Sequence, residues 1–184
     1  MDKCQLVFEP VKMTPEVMEC LEAKGLIERL APSRDKHRIP VHGEGLGNQI
    51  YASDVKYGGH KLISVAIDNE RFSSFATHPD NEEFILLGGI NERPMYLLVC
   101  FLDRETLLSK INDETLRAED FILLDCVFND PYVSFFVMKA GVPHGECAYG
   151  SGRPATFYVT EGENLPLDKI NLYEHYDVQV PMCK

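Results

Sequence analysis

The chain has 184 residues, with 18 Lys and Arg against 29 Asp and Glu and a formal net charge of −11. Hydrophobic residues make up 45%, charged residues 26%, and the mean hydropathy is −0.17, a globular composition that excludes disorder over the whole length. The acidic balance (pI ≈ 4.9) repels phosphate backbones and excludes nucleic acid as a partner, and no apolar run reaches the ~18 residues that span a bilayer.

A domain of this size buries roughly 70% of its unfolded surface, so folding requires neither disulfide nor metal. Met1-Asp2-Lys3-Cys4-Gln5 has no basic region followed by an apolar stretch, so no secretory signal is expected and the chain reads as cytoplasmic. Cys4, Cys20, Cys100, Cys126, Cys147 and Cys183 form no Cys-x-x-Cys pair. Zinc ribbons and thioredoxin-like sites need such pairs, and disulfides are rare in cytosolic proteins.

In chain order, Gln5-Leu6-Val7-Phe8 alternates like an edge strand. Thr14-Pro15-Glu16 predicts a helix start: a hydroxyl cap, proline at the first helical position and a carboxylate in the first turn. Val17, Met18 and Leu21 share one face, Gly25 ends or kinks the helix, and Leu26, Ile27 and Leu30 are spaced to continue it. Residues 31–47 are turn-rich, with Pro32, Pro40, Gly43, Gly45 and Gly47.

From about residue 48 the pattern turns to β. Strand-length runs occupy 61–67, 72–77, 83–87, 95–102, 121–128, 132–138 and 155–160, rich in β-branched and aromatic residues. Gly88-Gly89 and Asn129-Asp130-Pro131 suggest hairpin connections. A helix over 103–117, with Leu107, Leu108 and Ile111 as its apolar face, interrupts the series. So many short strands predict a mainly β antiparallel sandwich or barrel over 48–184, with an N-terminal helix and loop extension over 1–47 packed on it.

Two segments carry chemistry. In Thr77-His78-Pro79-Asp80-Asn81-Glu82-Glu83-Phe84-Ile85-Leu86-Leu87-Gly88-Gly89, a histidine at a strand end and a glutamate opening the next strand are two legs of a facial metal triad. The competing reading is a turn-capping His78 with solvated Glu82 and Glu83; which glutamate points inward stays open. In Lys139-Ala140-Gly141-Val142-Pro143-His144-Gly145-Glu146, a Gly/Pro turn presents a second histidine.

Together these segments resemble the cupin superfamily. His78 to Gly89 looks like its first motif, and Ala140-Gly141-Val142-Pro143-His144 looks like its second. Arg117-Ala118-Glu119-Asp120-Phe121 sits where cupins often carry a Gly-Asp turn, with Glu119 replacing the glycine. Two departures stand out: Ala76 occupies the place of the usual first histidine, and Ala148 lies near that of a downstream asparagine.

The resemblance covers roughly 60–160 and implies a double-stranded β-helix, the jelly-roll barrel. It implies a divalent transition metal (Zn, Fe, Mn or Ni) on His78, Glu83 (or Glu82) and His144, with open positions for chemistry. The expected function is a metal-dependent enzyme acting on a small polar metabolite such as a sugar or sugar acid, by isomerase, lyase or hydrolase chemistry. The rival is a non-catalytic small-molecule binding module with a reduced or lost metal site.

Arg153, Tyr149 and Tyr158 follow the second motif as candidate substrate contacts, the guanidinium fork suiting a carboxylate or phosphate. A homodimer is expected from the need to cover sheet edges. His60, after Gly58-Gly59, is a surface turn or a replacement ligand, while His37, His42 and His175 read as surface residues. Cys147, three residues from His144 on a strand, points to the other face. Gly43-Glu44-Gly45-Leu46-Gly47 and Gly145-Glu146-Cys147-Ala148-Tyr149-Gly150-Ser151 are rejected as phosphate cradles: the first follows no strand and the second lacks the lysine.

Overall fold

The computed structural model describes residues 3–29, 37–40, 49–52, 61–65, 75–80, 82–87, 95–125, 135–148, 156–160 and 168–180. The N-terminal part contains β1 (Cys4–Val7), β2 (Val11–Lys12), α1 (Pro15–Ala23), β3 (Ile27–Arg29), β4 (His37–Pro40) and β5 (Gln49–Ala52). Then follow β6 (Lys61–Val65), β7 (Ala76–Thr77), β8 (Glu83–Leu87), β9 (Met95–Cys100) and α2 (Arg104–Asn112). A 3-10 turn at Ala118–Asp120 leads into β10 (Phe121–Asp125), β11 (Phe135–Met138), β12 (His144–Ala148) and β13 (Thr156–Thr160). The chain closes with β14 (Asp168–Lys169), α3 (Leu172–His175) and β15 (Tyr176–Gln179).

Local chemistry sets the helices. The Thr14 hydroxyl accepts from Val17 N–H at 3.4 Å, with Pro15 at the first helical position of α1. The helix stops at Ala23 because Gly25 takes φ +73°, and the Gly25 and Leu26 N–H groups donate back to the Glu22 and Leu21 carbonyls, a Schellman closure. The expected continuation through Leu26 and Ile27 is therefore corrected: Ile27–Arg29 leaves as a strand antiparallel to β11. Leu30 lies outside the described residues. In α2 the Asp103 carboxylate caps Thr106 N–H at 2.8 Å, and Leu107 and Ile111 are buried as their spacing required.

The protein is mainly β. One six-stranded sheet runs β14-β7-β12-β9-β10-β2 and a five-stranded sheet runs β3-β11-β8-β13-β6. Most pairings are antiparallel; β2 with β10 and β1 with β15 are parallel. Among the described residues the two sheets remain separate ladders and no pairing closes them into one barrel. Leu97, Val99 and Leu124 of the larger sheet meet Ile27, Phe136 and Met138 of the smaller one, with Met18 and Leu21 of α1, in a shared apolar core. The other face of the larger sheet packs Leu98, Cys100 and Leu123 against Leu107 and Ile111 of α2, with Leu172 and Tyr176. The runs at 61–67, 83–87, 95–102 and 155–160 match β6, β8, β9 and β13 closely. The turn-rich stretch departs from expectation, since His37–Pro40 pairs with Gln49–Ala52. Gly88-Gly89 and Asn129-Asp130-Pro131 lie outside the described residues. No helix among the described residues is long and apolar enough to cross a membrane.

Candidate functional site

His144 opens β12, where its register partners are Ala76 on β7 and Val99 on β9. Cross-strand partners share a face, and Val99 packs in the core with Phe136 and Met138, so this row looks between the sheets. His78 lies two residues beyond Ala76 and returns to the same side by strand alternation. The two rings come together accordingly, with centroids 6.0 Å apart and planes inclined at 40°. Both are buried, His78 at 9% exposure and His144 at 6%.

The turn after β11 holds the backbone of His78 and the imidazole of His144. Gly141, at φ +79°, donates its N–H to the His78 carbonyl at 2.7 Å. His144 Nδ1 lies 2.9 Å from the Val142 carbonyl. A carbonyl only accepts, so Nδ1 carries a proton, and in the neutral ring the lone pair resides on Nε2. Pro143 is fixed in turn by Cys100, whose N–H donates to its carbonyl at 2.9 Å. One short segment thus ties the chain at His78 to the ring of His144.

Of the two candidate glutamates, Glu82 has a described side chain. Glu82 is drawn to the surface by Lys139 Nζ at 2.7 Å. Glu83 opens β8, its backbone across from Met138 on β11 and Thr160 on β13; its carboxylate lies outside the described residues. Tyr158 occupies the register position between Ile63 and Ile85, and its side chain also lies outside them. Arg153, Tyr149, His60 and His42 lie outside the described residues, as do the side chains of His37 and Cys147. His175 is exposed at the end of α3, as expected.

Asp120, in the segment compared with the cupin Gly-Asp turn, accepts from Lys110 Nζ at 2.7 Å and from Arg117 N–H at 2.9 Å. It is a buried, structurally paired carboxylate. Among the described residues no three His, Cys, Asp or Glu side chains group as a metal site. Two features escaped the sequence reading. Lys139 reaches two carboxylates from the end of a strand, and Thr77, fully buried beside His78, holds a hydroxyl with no hydrogen-bond partner among the described residues.

No family model matches the chain, and no curated protein matches it. Among solved structures it is similar to a dTDP sugar isomerase from Desulfovibrio desulfuricans G20. The two are 10% identical, with a TM-score of 0.46 over 75% of this chain and 82% of that chain.

Proposed function

We propose that the His78–His144 pair belongs to a divalent-metal site completed by Glu83. In this reading the two sheets form a jelly roll of the cupin kind, and the protein is an enzyme acting on a small polar metabolite such as a sugar or sugar acid. The observation that carries the reading is the meeting of two buried imidazoles from distant segments at a 6.0 Å centroid separation. Metal-to-nitrogen bonds of about 2.1 Å put two imidazole centroids on one ion about 4.5–5.3 Å apart at angles of about 90–110° and about 6.5 Å apart when trans, so the pair reaches a shared ion with a closure of about 1 Å. The Nδ1–H bond to Val142 adds a second fitting feature, because it gives His144 the tautomer whose Nε2 can ligate.

A divalent ion held by His78, His144 and Glu83 would supply Lewis acidity toward a carbonyl oxygen or water. The chain's own contribution is to fix the two rings and exclude bulk water from them, since both histidines are almost fully covered. Arg153, Tyr149 and Tyr158 are the proposed substrate contacts, the arginine for an anionic group. Isomerase, lyase and hydrolase chemistry are all compatible with such a centre.

A non-catalytic binding module is the second reading, and one observation favours it. Ala76 stands directly across from His144, so a methyl group occupies the place where the cupin pattern carries a further histidine. The deciding experiment is metal analysis and cobalt titration of the purified chain. The enzyme reading expects about one equivalent of metal, lost in both His78→Ala and His144→Ala variants that keep their circular dichroism. A wild-type chain that binds no divalent metal would leave only the binding module.

A further inference from the structure

Lys139 leaves β11 at the meeting point of three segments. Its Nζ lies 2.7 Å from Glu28 Oε2 on β3 and 2.7 Å from Glu82 Oε1 just ahead of β8. Its backbone N–H donates to the Leu26 carbonyl at 2.9 Å, and its carbonyl accepts from Val142 N–H at 3.3 Å. All three charged side chains are partly exposed, and an isolated pair of that kind contributes little to stability. Its effect is on position. Two carboxylates share one ammonium, and without it they would repel across the same gap. Donating hydrogen bonds to Glu28 and then to Glu82 raises the Lys139 pKa, so the ammonium stays charged across the working pH range.

The bridge bears on the histidines from both sides. Glu82 anchors the chain between His78 and Glu83. Gly141, two residues beyond Lys139, grips the His78 carbonyl, and Val142 takes the His144 Nδ1–H. We propose that Lys139 is the positioning residue of the histidine pair, setting the spacing of His78 and His144 through the Glu28–Lys139–Glu82 bridge. This rests on the metal-site reading above.

The test titrates cobalt(II) into the full chain and into its Lys139→Met, Lys139→Arg and Glu82→Gln variants, followed by visible absorption. Melting temperatures of the metal-free proteins are recorded alongside. Lys139→Met is expected to raise the cobalt Kd about tenfold or more, the usual consequence of losing an outer-shell support, while melting close to the wild type. Lys139→Arg is expected to restore binding to within about twofold, and adding Glu82→Gln to Lys139→Met to weaken it no further. Wild-type binding with an unaffected Lys139→Met variant, or additive losses in the double variant, would overturn the positioning role and leave the metal site standing. A wild-type chain that takes up no cobalt would overturn the metal site and this role together.

Discussion

Cys100 follows Val99, the register partner of His144, and its side chain points to the opposite face of the sheet from the histidine pair. The Cys100 side chain is fully buried in the outer layer among Leu98, Leu107 and Phe121, and burial pushes its thiol from an ordinary 9.0 to about 12. The folded chain therefore keeps this proton at pH values where the unfolded chain has released it. The associated stability is complete below pH 9 and is lost progressively as pH rises toward 12. Urea denaturation at pH 8 and pH 10.5 is expected to show that loss, with a smaller difference in Cys100→Ala; an equal fall in both would contradict it. A thiol so placed is no nucleophile. Sequence alone places Cys100 inside an apolar run, a setting that predicts a buried thiol. It also marked His78, at a strand end ahead of a glutamate, and His144, presented by a Gly/Pro turn. It did not separate Glu82 from Glu83: adjacent carboxylates look alike until Lys139, far along the chain, is seen to hold one of them.

Two glycines show how the elements are joined and how far their joints could be foreseen. Gly25 ends α1 and Gly141 turns β11 into β12, at φ +73° and +79°. A Cβ at Gly25 would touch nothing within 4 Å, and one at Gly141 would meet only the Pro79 carbonyl oxygen at 3.9 Å. The cost of alanine at either site is then the left-handed backbone itself, about 1–2 kcal/mol, readable by chemical denaturation. The consequences for binding differ. If the proposed metal site holds, Gly141→Ala weakens cobalt affinity because the Gly141 N–H holds the His78 carbonyl, whereas Gly25→Ala leaves it unchanged. Equal effects of the two on affinity would detach the turn from the site. The helix start at Thr14-Pro15 was legible because capping is a local matter. The strand at Ile27–Arg29 was not, since three residues carry no periodicity and its identity comes from pairing with β11. The same holds for β14 and β15, whose partners are β7 and β1, distant in sequence.

At the scale of the molecule, the mainly β character was written in the runs of β-branched and aromatic residues, but the order of strands was not. β1 pairs with β15 and β2 with β10, contacts that close the longest loops among the described strand pairs and leave no local trace. The histidine pair is another product of that closure. His78 and His144 become neighbours only when β7 and β12 pair, so the unfolded chain offers an ion no equivalent site. A metal held there should therefore stabilise the folded state by linkage, by about 2.7 kcal/mol at a hundredfold excess over Kd. For a chain of this size each kcal/mol moves Tm by about 2–4 °C, so saturating cobalt is expected to raise Tm by roughly 5–10 °C. The surface, with a net charge of −11, also attracts cations loosely, and exposed Cys4 and Cys20 offer soft ligands even in the unfolded chain. Measuring at physiological ionic strength suppresses the first effect, and His144→Ala controls for the second, because it removes the pair and keeps both thiols. A rise that persists in His144→Ala would place the bound ion elsewhere, and the buried pair would then stand as packing between two strands.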